Sequence, residues 1–305
     1  MTTCSAGSLL TGEQLAGSAP EAVAWVALEQ PGPWGAKAFT GSHLDPDLGR
    51  AIEQMAAARG VRPALIRRPG RHADEASPGD GPRAVLVAHT RPGATWLLEG
   101  IVTAPDELLA LDWGALRDGH PDAVRRSLPQ LSPTDRARLL VCTNGTRDVC
   151  CAVLGRPVAA AAAYVHPGRV WEVTHTSGHR FAPTAALLPA GTLHGRLDAG
   201  TAVALVDAAD RGETVLTGHR GRSTWPSPGQ VAELEVRRLI GEAGLDAVSV
   251  ADVAEVAAHT WSVEVGHADG RRWAVDVDSE PTEVERAESC SKGAVPLRRW
   301  RASVR

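Results

Sequence analysis

The sequence predicts an α/β protein in which one order of strands and helices occurs twice and a different C-terminal segment follows. Three observations carry this prediction. Short apolar runs alternate with segments of helical period, a Pro-containing connector at 121–135 separates the two sets, and a strand pair with a tight turn lies near the end of the chain. At 305 residues the chain is long enough for two domains, each with its own core.

The first set of elements lies within residues 1–125. Its strands are short apolar runs, and its helices carry apolar residues at helical spacing and end at Gly60 and Gly119. In order, we predict a strand at 21–30, a helix at 44–60, a strand at 61–68, two strands at 83–90 and 94–101, and a helix at 104–119.

The second set repeats this order after the connector. We predict a strand at 137–142, a helix at 150–165, a strand at 169–175, a strand pair at 184–189 and 193–197, and a helix at 199–212. Strand, helix, strand, two strands, helix is the element order of a thioredoxin-like domain. We therefore predict two tandem thioredoxin-like domains, residues 1–125 and 126–305.

The last part of the second domain does not follow this order. "TWSVEVGHADGRRWAVDVD" predicts a β-hairpin, because tryptophans and valines alternate with polar residues on both sides of Asp269-Gly270. The segment before it predicts a helix whose apolar stripe is Val231, Leu234, Val236, Leu239 and Ile240. We expect this helix and hairpin to extend the second domain.

The composition excludes several classes of protein. The apolar fraction of 43% and the charged fraction of 22% are typical of a soluble globular protein. A net charge of −4 argues against a broad nucleic-acid surface, and no apolar run has the length of a membrane span. The first residues lack the basic start and apolar core of an export signal, so we expect a cytoplasmic protein that binds neither nucleic acid nor membrane. Five cysteines in such a chain do not suggest disulfides.

Soft-metal ligands gather in one region of the second domain. "CTNGTRDVCC" holds three of the five cysteines, and "HTSGHRF" follows with two of the eleven histidines. Cys142 ends a predicted strand and Cys151 begins a helix, while His175 ends the next strand and His179 follows a loop. Since neighbouring strand ends and their loops share one edge of a sheet, we predict that these four side chains bind metal together.

Spacing alone leaves the kind of metal open. Two thiolates and two imidazoles suit zinc, but structural zinc takes its cysteines from a tighter pair than Cys142 and Cys151. The wider separation suits the two irons of a [2Fe–2S] cluster equally well. Cys150 leaves open which of two adjacent cysteines is the ligand. A thiol oxidoreductase that uses Cys150 and Cys151 is the weakest alternative, because adjacent cysteines make a strained disulfide.

A resemblance to a known family favours the cluster. The segments that carry it are "LAGSAPEAVAWVALEQPGPWG", "CTNGTRDVCC", "VWEVTHTSGHRFAPTAALLPAGTLHGRL" and "HRGRSTWPSPGQVAE". They resemble the sucrase/ferredoxin-like family, which includes Apd1-type proteins. The resemblance implies a thioredoxin-like ferredoxin that holds one [2Fe–2S] cluster through Cys142, Cys151, His175 and His179. No carboxylate pair suggests a glycosidase site.

The implied ligand set predicts the electrochemistry. Two thiolates and two neutral imidazoles leave an oxidised cluster near zero net charge, so we expect a comparatively high potential that depends on pH. Arg147 and Arg180 would donate hydrogen bonds to sulfur or pair with acidic neighbours, and Ser177 and Gly178 would let backbone N–H groups approach a sulfur.

These expectations describe an electron carrier or reductase component rather than a self-contained catalyst. The sequence contains no glycine-rich nucleotide fingerprint and no phosphate-loop lysine. We therefore expect a redox partner protein as the electron donor, and a small molecule or ferric chelate as an acceptor.

Overall fold

The computed structural model describes residues 3–70 and 81–305. The first half of the repeated architecture begins with a short helix and ends with a helix and a short strand that lie within the connector predicted at 121–135. Its elements are α1 (Cys4–Leu10), β1 (Ala24–Glu29), α2 (Pro46–Ala57), β2 (Val61–Arg67), β3 (Arg83–His89), β4 (Trp96–Val102), a 3-10 helix (Pro105–Ala110), α3 (Trp113–Asp118), α4 (Pro121–Ser127) and β5 (Ser132–Thr134).

The second half contains the segment rich in cysteine and histidine. Its elements are β6 (Arg138–Cys142), α5 (Val149–Val165), β7 (Val170–Val173), a 3-10 helix (His179–Phe181), β8 (Ala185–Leu188), β9 (Thr192–His194), α6 (Ala199–Asp210) and β10 (His219–Arg222). The predicted pairing of the two strands near 184–197 is present as the antiparallel ladder between β8 and β9.

The two halves share one strand arrangement. The first half has the order β2-β1-β3-β4 and the second has β7-β6-β8-β9, with a parallel first pair and antiparallel neighbours after it in both. The predicted fold class, α/β with two thioredoxin-like units, is confirmed. The units form one ten-stranded sheet because β2 pairs antiparallel with β7, joining Ile66 to Val173 and Arg67 to Glu172.

The join between the halves contains a buried ion pair. Arg67 Nη2 lies 2.8 Å from Glu172 Oε2, and both side chains are almost fully buried. The hydroxyl of Thr143 also donates to this carboxylate at 2.8 Å. The proposed boundary between residues 125 and 126 stays a prediction; α4 runs across it from Pro121 to Ser127.

Alternation along the strands places two cores on opposite faces of the sheet. Ala24, Val26 and Leu28 of β1 pack in the core that includes Ile52 of α2. Trp25 faces the other way, into a core made by strands of both halves; its members include Leu140, Cys142, Cys151, Trp171 and Val173. The metal-ligating candidates of β6 and α5 therefore lie at the edge of an apolar layer.

Capping residues determine where the helices start. Asp45 accepts hydrogen bonds from Asp47 N and Leu48 N at the start of α2. The helix predicted at 104–119 is wrong as one element: Asp112 caps a new helix through Ala115 N, so a 3-10 helix and α3 follow each other. Pro157 lies inside α5, which starts at Val149.

The C-terminal extension is larger than predicted. It contains α7 (Ser227–Ile240) and an antiparallel sheet of β11 (Val248–Ala257), β12 (Thr260–His267), β13 (Arg272–Ala287) and β14 (Ala294–Val304). The predicted hairpin is β12 and β13, with Gly270 at φ 96° in its turn. Val231 and Val236 of α7 are buried on this sheet, whereas Leu239 is 60% exposed, so its place in the predicted stripe is wrong.

No helix in the described part of the chain has both the length and the apolar character needed to cross a membrane.

Candidate metal centre

The four predicted ligands lie together at one edge of the second half. Cys142 is the last residue of β6, and its backbone N–H donates to Thr184 O at 2.8 Å. Cys151 lies in the first turn of α5, His175 follows the end of β7, and His179 begins a 3-10 helix. We call these four residues the Cys2His2 group.

The members of the Cys2His2 group lie close to one another. Cys151 Sγ lies 3.5 Å from His179 Nδ1. The imidazoles of His175 and His179 stack with ring centroids 4.6 Å apart and an interplanar angle of 25°. The thiol of Cys142 lies near enough to Cys151 and His175 for both to affect its pKa, and its Sγ is 3.8 Å from Thr174 O. The role of the four residues as ligands stays a prediction.

The pKa values of the two thiols of this group are shifted in opposite directions. The hydrogen bond from Cys151, together with the neighbouring His175, lowers the pKa of Cys142 well below that of an ordinary thiol despite its burial. The same hydrogen bond and burial raise the pKa of Cys151, because a second negative charge beside the Cys142 thiolate is unfavourable. A cation between the two sulfurs would favour the thiolate form of both.

The imidazoles of the group differ in what the structure shows of them. Burial and the neighbouring His175 lower the pKa of His179, so its ring is neutral at pH 7. The Nδ1 atom of His175 is buried and has no hydrogen-bond partner among the described residues. A buried ring nitrogen without a partner is costly unless something binds it, and this supports a bound ion at this position.

Two arginines, Arg220 fully buried and Arg62 half-buried, hold the loop between the histidines. Arg220 Nη1 donates to Thr176 O at 3.3 Å and to Ser177 O at 3.0 Å, and Arg62 Nη2 donates to His175 O and Ser177 Oγ, both at 3.1 Å. Ser177 has φ 60°, so these contacts stabilise a backbone conformation that is unfavourable for a serine.

These arginines are charged and, in the described part of the chain, form no ion pair with a carboxylate. Burial lowers the pKa of Arg62 to about 10 and that of Arg220 to about 9, while the negative charge of Cys142 opposes both shifts. Both therefore remain cations at pH 7 and favour negative charge on the thiols. Sequence reasoning missed them, because Arg62 lies on β2 of the other half and Arg220 on β10.

The arginines that the sequence did single out have other partners. Arg180 Nε donates to Glu13 Oε1 at 2.6 Å, and Arg286 donates to both oxygens of the same carboxylate at 2.6 and 2.8 Å. Arg147 Nη1 donates to Ala36 O at 3.5 Å. Neither Arg147 nor Arg180 pairs with Asp148 or Glu172 among the described residues.

A cavity of about 490 Å³ gives access to the histidine side of the group. His175, Ser177, Gly178 and His179 line one wall. Its rim carries the cationic side chains of Arg147, Arg180 and Lys292 and the single carboxylate of Glu288. A small molecule or a partner's side chain could reach the imidazoles from this cavity. Arg180 pairs with Glu13 and Lys292 with Glu288, which leaves Arg147 as the rim cation without a carboxylate partner among the described residues.

The adjacent cysteines face different groups. Cys151 faces the Cys2His2 group, whereas Cys150 Sγ lies 3.2 Å from Cys290 Sγ and 3.7 Å from Cys4 Sγ. Among the described residues, the side chains around Cys150 form a metal-binding-capable group of three cysteines and one aspartate, with all four ligand atoms within 4.8 Å of one another. We call it the Cys3Asp group; its members are Cys4, Asp148, Cys150 and Cys290. It shares no residue with the predicted quartet, and no sequence pattern beyond the presence of the cysteines indicates it.

Comparison with known proteins gives one match. A sequence model of the sucrase/ferredoxin-like family matches residues 15–221, which is more than half of the chain and includes the whole Cys2His2 group. No curated protein and no solved structure matches the chain, and the closer likeness to Apd1-type proteins stays a prediction. The chain therefore belongs to the sucrase/ferredoxin-like family.

Proposed function

We propose that this protein carries single electrons on one [2Fe–2S] cluster, held by Cys142, Cys151, His175 and His179. The observation that carries the proposal is the contact of two thiols and two imidazoles, one of which has a buried Nδ1 without a partner. When bound, such a cluster accepts and releases one electron at a time.

Two arginine cations act on the same site. Arg62 and Arg220 hold the histidine loop and place two positive charges near the thiols without a compensating carboxylate among the described residues. Positive charge near an electron acceptor stabilises the reduced state. Together with histidine ligation, this supports a potential above the roughly −400 mV of all-cysteine clusters of the plant type.

The histidines connect the electron to a proton. Since His179 Nδ1 faces the sulfur of Cys151, its Nε2 is free to hold a proton. An added electron makes the metal-bound ring more basic, so reduction favours protonation at this nitrogen. The midpoint potential should then fall by up to about 59 mV per pH unit above the pKa of the oxidised state.

We place the exchange of electrons at the cavity beside the histidines. Arg147 on its rim suits an acidic group on a redox partner protein that donates electrons, and it suits an anionic ferric chelate or small molecule as the acceptor. Five free cysteines suit the reducing cytoplasm. The chain acts in this proposal as a carrier or reductase component.

Anaerobic purification with iron, sulfide and zinc analysis tests the proposal. We expect about two irons and two sulfides for each chain, a red-brown colour and a rhombic resonance signal after reduction. Colourless protein whose zinc depends on Cys142 and His175 would instead favour the alternative, a binding module that zinc stabilises through the same four residues.

A further inference from the structure

A compact group of sulfurs lies beside the start of α5 and has no part in the proposed electron transfer. Cys4 Sγ lies 3.7 Å from Cys150 Sγ and 3.5 Å from Cys290 Sγ, and the last two sulfurs are 3.2 Å apart. One carboxylate oxygen of Asp148 lies 3.5 Å from Cys4 Sγ. The three sulfur–sulfur distances thus lie between 3.2 and 3.7 Å.

We propose that the Cys3Asp group binds one Zn²⁺ ion in a structural site. Zinc–sulfur bonds of about 2.3 Å place the sulfurs of a tetrahedral site roughly 3.8 Å apart, and an oxygen ligand roughly 3.5 Å from each sulfur. The distances from Cys4 Sγ are within about 0.3 Å of these values, and Cys150 Sγ and Cys290 Sγ must move apart by about 0.6 Å. Four protein ligands close the coordination shell, as in structural rather than catalytic zinc sites.

The environment of the ligands favours a cation. Cys4, Asp148 and Cys150 are each less than 5% exposed, which makes a cluster of three thiols and a carboxylate unfavourable unless a positive charge joins them. The oxygens of Asp148 accept hydrogen bonds from Cys150 N at 3.0 Å and from Cys290 N at 2.9 Å. These bonds orient the carboxylate and leave each oxygen a lone pair for the metal. The thiols lose their protons to solvent when the metal binds.

A disulfide explains the group less well than a metal ion does. A disulfide would join two of the three sulfurs and leave the third thiol and the Asp148 carboxylate buried without a shared partner. All three sulfurs are instead at similar distances, and the chain has the reduced cysteines expected in a cytoplasmic protein. Zinc uses all four side chains at once.

The ion would tie together segments that are far apart in sequence. Cys4 lies on α1, Cys150 at the start of α5, and Cys290 in the turn between β13 and β14. Since α5 also carries Cys151 and α1 packs against the 3-10 helix that begins at His179, zinc would hold both sides of the Cys2His2 group in place. Cys4 and Cys290 lie outside the segment that the family model matches.

Two matched serine variants of the full chain test this inference separately from the proposed function. Protein is produced with zinc in the medium, purified without oxygen and passed over a desalting column before iron and zinc are measured. We expect about one zinc for each wild-type chain. Cys290→Ser should lose at least about nine tenths of the zinc and keep its iron, whereas Cys142→Ser should keep the zinc and lose its iron.

Cobalt gives a readout that does not depend on how well Cys290→Ser folds. Co²⁺ added to zinc-stripped Cys142→Ser protein, which lacks the coloured cluster, should show thiolate-to-cobalt charge-transfer bands and tetrahedral visible bands. The same spectrum should disappear when Asp148→Asn and Cys4→Ser are added to this background. Wild-type protein without zinc and without these cobalt bands would overturn the inference, as would a Cys4–Cys290 disulfide in the intact protein. Zinc that is lost in Cys142→Ser but kept in Cys290→Ser would also overturn it, and would place the ion in the Cys2His2 group.

Discussion

The two halves of the large sheet have the same strand order but different residues at the same edge. Glu29 and Cys142 each form the last pair of the parallel ladder in their half, with Ile66 and Val173 as partners. Two residues beyond those partners, Arg68 in the first half corresponds to His175 in the second. Where the second half has a thiol and an imidazole, the first half has a carboxylate and a guanidinium.

The difference shows which part of a site the fold supplies. In the first half, Glu29 accepts a hydrogen bond from Ala84 N at 3.0 Å and stabilises the charge of Arg68, which lies 3.5 Å from the ring of Trp171. At that edge, the charges of Glu29 and Arg68 cancel each other. The second edge depends on Arg62 and Arg220 from elsewhere in the chain. Topology brings strand ends together, and the residue types at those ends decide the chemistry.

The largest expected effect is a loss of iron that distinguishes Cys142 from Glu29, its equivalent in the first half. Cys142→Ser removes a predicted ligand and should reduce bound iron and sulfide to near zero, whereas Glu29→Gln should leave both unchanged. Iron and sulfide for each chain, together with visible absorbance, measure this. Cys142→Ser protein with full iron would contradict the assignment of the cluster to the second half.

The join between the halves should show the next largest effect. Arg67→Met leaves Glu172 buried without its cation and should lower the free energy of unfolding by about 3–5 kcal/mol. The matched change Arg68→Met, on an exposed neighbour in the chain, should cost less than about 1 kcal/mol. Urea unfolding of the iron-loaded proteins, followed by tryptophan fluorescence, compares the two. Equal losses would mean that the buried pair is not what stabilises the join.

Changing one imidazole to a thiolate should move the electrochemistry toward that of all-cysteine clusters. His175→Cys adds a negative charge to the site, so the midpoint potential should fall by on the order of 150 mV. The slope of potential against pH should also become flatter because one titrating ring is lost. Protein-film voltammetry between pH 6 and 9 measures both quantities, with Arg68→Cys as a control that should change neither. A rise in potential would contradict histidine ligation at this position.

The smallest expected effect concerns acid stability. The ladder registers align Gly100 of β4 with His194 of β9, a fully buried residue whose pKa burial lowers to about 3. Unfolded histidine binds a proton near pH 6.5, whereas folded His194 does not until the pH approaches 3. Its contribution to stability is therefore complete above about pH 6.5 and is lost as the pH falls, by at most about 1.4 kcal/mol per unit.

His194→Gln removes this titration. The urea midpoint should therefore change less between pH 7 and pH 5 in the variant than in the wild type. Gly100, the equivalent residue of the first half, has no titrating side chain and contributes nothing to this pH dependence. Parallel pH profiles of the two proteins would exclude His194 as a source of acid sensitivity.

Much of the strand order could be predicted from sequence because buried strands are short apolar runs between turn residues. The same rule fails for β11 and β14, since most residues of Val248–Ala257 and Ala294–Val304 are exposed or half-buried and give no continuous apolar signal. The sequence predicts one helix over 104–119 because no local pattern distinguishes Asp112 from an interior helical residue. In the structure, its carboxylate accepts a hydrogen bond from Ala115 N and starts a new helix.

The site was predictable only where its residues are close in sequence. The four members of the Cys2His2 group lie within 38 consecutive residues, at two neighbouring strand ends and in the helices that follow them. Spacing and resemblance could therefore select them. Spacing could not distinguish Cys150 from Cys151, because successive residues of a helix point about 100° apart and the surroundings decide which group each one joins. Cys4 and Cys290 are 286 positions apart, and no local pattern connects them.

The carboxylate of Glu13 links the histidine loop to both flanking parts of the chain. It accepts from Arg180, next to His179, and from Arg286 of β13. Shortening the protein to the family-matched segment 15–221 would delete this acid and leave a half-buried guanidinium uncompensated beside the imidazoles. The segment that the family model matches is thus smaller than the segment that these contacts connect. A minimal fragment should therefore retain residues 4–13 and the C-terminal four-stranded sheet.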